Sequence, residues 1–133
     1  MLKKLFIILI SGLILTSCAG QKNVTGGGSI AAGSQEDLIV NVGDRVFFEF
    51  DSFEITVDGQ STLDAQVAWL KQYSEVDITI EGHADERGTR EYNLALGERR
   101  ANSAKDYLMT YGISSDRISV ISYGKERPVD SGS

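Results

Sequence analysis

The residues best suited to chemistry in this 133-residue chain lie between Glu81 and Ala101, in the run EGHADERGTREYNLALGERRA. A glycine-bounded polar loop carries His83, Asp85, Glu86 and Arg87, and two adjacent arginines, Arg99 and Arg100, follow in a helix-compatible stretch. Asp85 and Arg100 offer a carboxylate and a planar guanidinium. Such a pair either neutralises itself as a structural salt bridge or brackets a zwitterion. In the second case the carboxylate takes an ammonium, and the guanidinium takes a carboxylate in a two-bond fork. Neighbouring helix positions are about 100° apart, so only one of the two arginines can face the loop. His83, the sole histidine, sits between Glu81 and Asp85 and invites a metal or hydrolytic reading. One histidine with two carboxylates lacks the histidine pairing of catalytic zinc. No G-x-S-x-G elbow and no Gly-Lys-Ser/Thr phosphate loop exists. A hydrogen-bonding or packing role is expected for His83, and neither metal nor cofactor is expected.

These groups need elements to position them. Val76–Glu81 alternates apolar and polar residues in a β-favouring run, so a strand should deliver the loop. Thr89 fits a helix N-cap with Glu91 in the first turn, where the helix dipole favours negative charge. The helix should run to about Tyr111 and close at Gly112. Gly97, Ala101, Ala104, Leu108 and Tyr111 mark its inward face, small enough to lie close to a sheet. Upstream, Val46, Phe48 and Phe50 alternate with Phe47, Glu49 and Asp51 and read as a first strand ended by Asp51-Ser52. A second helix follows, capped by Thr56 or Ser61, with Leu63, Val67 and Leu70 as its core stripe and Trp69 as a packing aromatic at its edge. Ile118–Tyr123 is a last strand, and Gly124–Pro128 turns away from it. The order β-α-β-α-β predicts an α+β sandwich with helices on one face of a small mixed sheet.

With 41% hydrophobic and 24% charged residues, the chain has room for one globular core. Lys3 and Lys4 precede an apolar run from Leu5 to Leu15, too short for the ~20 residues a membrane-spanning helix requires. The organisation read from this is a signal peptide over 1–17, a flexible linker over 18–35 and a domain over 36–133. The Gly/Ser-rich linker would reach on the order of 20 Å. Cys18 is the only cysteine, which excludes a disulfide within the chain. The net charge of −6, more negative once the lysines leave with the signal, argues against nucleic acid as a partner.

Leu15-Thr16-Ser17-Cys18 resembles the lipobox of bacterial lipoproteins, which implies cleavage before Cys18 and its lipidation with three acyl chains. Ala19 after it implies sorting to the outer rather than the inner membrane. The run GHADERGTREYNLALGERRANSAKDYL, with FFEFDSFEI before it and VISYGKERPV after it, resembles the OmpA-like peptidoglycan-binding domain family. That resemblance implies non-covalent binding of the peptidoglycan stem peptide through its diaminopimelate residue. Asp85 would take the ammonium and Arg100 the carboxylate. Phe50 and Asp51 would line the pocket, while Asn93 and Leu96 would support the ligand. For Asn93 a hydrogen bond to the loop backbone stays open as the alternative, and for Leu96 core packing. Arg87 would be a rim charge or a solvated loop residue. The resemblance further implies an outer-membrane tether within the Tol envelope system, with TolB as partner and a role in cell division. The family continues beyond YGKERPV into another helix and a final strand, which are expected to be missing here and to leave a sheet edge open. Two other readings remain at this stage: a scaffold that binds protein without binding the wall, and a cell-wall hydrolase using His83 and Glu81.

Overall fold

The computed structural model describes residues 29–124. The signal sequence, Cys18, the glycine triplet of the linker and the turn after Gly124 lie outside the described residues. Among the described residues two strands form the sheet, β1 (Ile78–His83) and β2 (Ile118–Gly124), paired in parallel from Ile78 opposite Ile118 to Gly82 opposite Ser122. A register shift between Gly82 and His83 then sets His83 opposite Gly124. Ile78 and Ile80 turn toward the core while Thr79 and Glu81 face solvent, as their alternation requires.

The helices begin where short polar side chains can take up free amide groups. In α2 (Val57–Gln72) the Thr56 hydroxyl accepts from the Gly59 N–H at 2.9 Å. In α3 (Arg90–Thr110) Thr89 accepts from the Tyr92 N–H at 3.0 Å, with Glu91 in the first turn. α3 closes through Gly112, whose φ of +107° lets Ile113 N–H reach back to the Leu108 carbonyl. Leu63, Val67, Trp69 and Leu70 of α2 meet Ala104 and Leu108 of α3, Ile113 and Ile118 in the core. Each fully buried leucine contributes roughly 2 kcal/mol of hydrophobic stabilisation.

α3 is the crossover between the parallel strands and lies on both of them. Their closest approach is glycine on glycine: a Cβ at Gly82 would fall on the Gly97 carbonyl, and a Cβ at Gly97 would lie 2.6 Å from the Ser122 hydroxyl. Ala101 and Ala104 continue this small-residue face and are buried, whereas Tyr111, expected to face inward, is half exposed. Arg117 fastens the far end of the unit by donating to the Val76, Leu70 and Tyr73 carbonyls.

Three features differ from the expected pattern. The segment Val46–Phe50 alternates as a strand should, yet it pairs with no strand among the described residues, and the described sheet is parallel rather than mixed. Alternation selects an extended backbone, but a strand also needs a neighbouring backbone for its N–H and C=O groups. Here the Glu49 and Ser52 carbonyls instead accept from the Arg100 guanidinium. Second, Ser34 caps a short helical turn, α1 (Gln35–Asp37), which runs into a π-helical turn over Leu38–Val42. Third, Trp69 is buried inside the core, and its indole N–H donates to the buried Asp37 carboxylate at 2.9 Å. Hydrogen bonds from Asn41 above all, then from the Gly33 N–H and Trp69, hold the Asp37 carboxyl below its ordinary pKa.

Candidate functional site

Arg100 is the centre of the site. It sits at the middle of α3, is 8% exposed, and its side chain makes four hydrogen bonds within the chain. Nε donates to the Ser52 carbonyl at 2.7 Å and Nη1 to the His83 carbonyl at 3.2 Å. Nη2 donates to the Glu49 carbonyl at 3.0 Å and to Glu86 Oε1 at 3.4 Å. The guanidinium also lies 5.4 Å from the centre of the Phe48 ring. One cation thus joins the 48–52 segment, the end of β1 and the following loop. Arg99, one position earlier, stands over Phe53 at 5.9 Å, so the two arginines diverge as helix geometry demands.

The loop is shaped by Glu86 and Asn93. Glu86 Oε1, which meets Arg100, also accepts from the Asp51 N–H at 2.5 Å. Asp51 has φ +55°, a left-handed conformation that costs a non-glycine residue about 1–2 kcal/mol. The Glu86 bond holds that backbone in place. Asn93 has no solvent exposure; its amide donates to the Glu86 and Thr89 carbonyls and its oxygen accepts from the Glu86 N–H. Loop 86–89 is therefore fixed to the first turn of α3 by a fully buried side chain whose two N–H donors are both engaged within the chain.

An open groove of about 410 Å³ lies against this loop, lined by Phe50, Asp51, Glu86, Arg87, Gly88, Thr89 and Tyr92. Phe50, 73% exposed, and Tyr92 offer aromatic faces on either side of acidic Asp51 and Glu86. A hollow of about 270 Å³ between Arg45–Glu49 and the start of α2 holds none of the candidate residues.

Of the residues singled out from the sequence, Phe50, Asp51 and Arg87 line the groove. Arg100 is buried and is not part of its lining; Asn93 and Leu96 are buried in the helix. Asp85 is exposed, makes no ion pair with Arg100 and does not line the groove. The carboxylate paired with Arg100 is Glu86, the next residue along. The two-bond fork expected of Arg100 is not free either, because four of its five N–H donors already have acceptors within the chain. Glu86, Thr89 and Tyr92 were not singled out. Only Asp85 was expected to face Arg100; Glu86 is the adjacent carboxylate, and nothing local distinguishes the two. His83 faces Glu81 at 3.3 Å and stacks on Tyr123 at 5.5 Å. Among the described residues no group of three His, Cys, Asp or Glu side chains could hold a metal. No helix among them is long and apolar enough to cross a membrane.

Chemically, the groove combines acidic residues, aromatic faces and a rim arginine, with a second guanidinium beneath. It suits a small ligand bearing both an ammonium and a carboxylate. The profile of the OmpA family matches residues 47–133. The chain is 53% identical to the peptidoglycan-associated lipoprotein of Rhizobium meliloti (strain 1021), over 92% of this chain and 74% of that protein. It is 50% identical to the peptidoglycan-associated lipoprotein of Mesorhizobium japonicum, over 92% of this chain and 78% of that one. Among solved structures, the crystal structure of the peptidoglycan-associated lipoprotein from Burkholderia pseudomallei superposes with a TM-score of 0.62 at 40% identity, covering 66% of this chain and 75% of that chain.

Proposed function

Because this chain belongs to the OmpA family, we propose that it binds peptidoglycan non-covalently through the diaminopimelate of the stem peptide and tethers the outer membrane to the cell wall. It is a binding module rather than an enzyme. Its lipid anchor is Cys18, the first residue after signal cleavage, and the linker up to residue 35 lets the domain over 36–133 reach the wall from the outer membrane. More than one acyl chain is needed for lasting attachment, and a lipobox cysteine carries three. TolB and the Tol-Pal system are its protein partners, and the tether serves envelope constriction in division.

The observation that supports this reading is the convergence of the Phe50–Asp51 corner and loop 86–89 on one open groove, with Arg100 beneath it. Asp85, exposed and one residue ahead of that loop, supplies the negative charge for the ammonium. Arg100 supplies the positive charge for the carboxylate. Asn93 and Leu96 act from behind, by holding the loop and the helix.

The test is retention on purified sacculi with free diaminopimelate as competitor. Wild-type protein is retained and eluted by the competitor, whereas Asp85→Ala and Arg100→Ala are not retained. Equal retention of these variants removes the assignment of the pocket. Release of soluble muropeptides with time would instead make the protein a hydrolase. Capture of TolB without retention on sacculi would make it a scaffold.

A further inference from the structure

We infer that Glu86 is an internal stand-in for the ligand carboxylate: it pairs with Arg100 and is displaced when the wall peptide binds. The inference rests on the diaminopimelate reading and adds the step by which the site opens. Arg100 has four acceptors, and three of them are main-chain carbonyls that do not line the groove. The fourth, Glu86, does line it. Only one of the five N–H donors of Arg100 is otherwise free, so a carboxylate that enters by the groove and forms a two-bond fork with Arg100 must take the place of Glu86.

The distances point the same way. Charge-assisted N–H···O⁻ bonds are ordinarily about 2.7–2.9 Å. The Arg100–Glu86 contact is 3.4 Å, the longest of the four, while Nε to Ser52 is 2.7 Å. The contact that opens onto the groove is thus also the longest. Exchanging one carboxylate for another keeps a buried guanidinium paired in both states, so neither state carries an uncompensated buried cation.

The experiment follows the Glu86 side-chain carboxyl by ¹³C NMR in the purified protein as a soluble diaminopimelate-containing stem peptide is added, and measures affinity for wild type and Glu86→Gln by calorimetry. Glutamine keeps an oxygen for the Asp51 N–H but removes the competing charge. The expected result is a shift of the Glu86 carboxyl signal that tracks saturation, and binding by Glu86→Gln about fivefold tighter than wild type, the scale of one charge-assisted against one neutral hydrogen bond. A stem peptide with lysine in place of diaminopimelate, which lacks the second carboxylate, leaves the signal unmoved. Binding by wild type with an unmoved Glu86 signal, or weaker binding by a folded Glu86→Gln, overturns the displacement and leaves the diaminopimelate reading standing. Binding by neither protein overturns both. The wild-type titration decides the matter even if the variant does not fold.

Discussion

Replacing Gly82 with alanine should unseat α3 from the sheet. The added Cβ would lie 2.6 Å from the Gly97 carbonyl carbon and 3.1 Å from the Ala101 Cβ. Backbone stands on both sides of the clash, in β1 and in α3, so no side-chain rotation relieves it. Helix and sheet must separate, which costs about 3 kcal/mol, the upper end of the usual overpacking range. Against a total stability of ~5–15 kcal/mol this is a large share. For a domain near 100 residues, 1 kcal/mol corresponds to about 4–8 °C in Tm, so the transition should fall by roughly 12–24 °C. Thermal unfolding followed by far-UV circular dichroism and Trp69 fluorescence measures it. Ser119→Ala on the exposed face of β2 serves as a control and should stay within about 0.5 kcal/mol of wild type. Wall binding should weaken too, since the carbonyl of His83, the next residue, is one of the acceptors that fix Arg100. A Tm for Gly82→Ala within about 3 °C of wild type would refute the glycine-on-glycine contact as the constraint on this packing.

Thr89→Ala removes the cap of α3 and should lower stability by about 1 kcal/mol in urea denaturation, with faster amide exchange at Tyr92 as the local sign. Asn93→Leu leaves the Glu86 N–H and C=O without partners; a loss of about 2–4 kcal/mol and loosening of loop 86–89 are expected, read by denaturation and by exchange at the Glu86 amide. The acid limb of stability should depend on Asp37. Its carboxyl is held below the ordinary value in the folded state, so its contribution is complete above the unfolded pKa near 4 and is lost as pH falls through the lower, folded one. Melting curves from pH 6 to pH 2 should show that loss in wild type and a shallower acid slope in Asp37→Asn.

What local chemistry governs could be read from the chain alone. The start of α3 follows from the Thr89 hydroxyl three residues ahead of the amide it accepts from, that of α2 from Thr56, one of the two caps the sequence offered, and β1 and β2 follow from alternating apolar residues. The small face of α3 follows from glycine and alanine at helical spacing. The polar loop was legible for the same reason, and so was the divergence of Arg99 and Arg100, whereas the place of Phe50 and Asp51 beside it came only from the family resemblance.

Tertiary structure decided the partners. Arg100 bonds to carbonyls 48 and 51 positions away, and Trp69 to a carboxylate 32 positions away, contacts that no local pattern encodes. The choice of Glu86 over Asp85 as the ion-pair partner turns on which of two adjacent carboxylates points inward, and that depends on Asn93 holding the loop and on the left-handed turn at Asp51. Val46–Phe50 has the pattern of a strand, but hydrogen bonding across space, not alternation, determines whether it pairs. Sequence specifies conformation where the interacting groups lie within a turn of each other; where they lie dozens of residues apart, only the packed chain brings them within bonding distance.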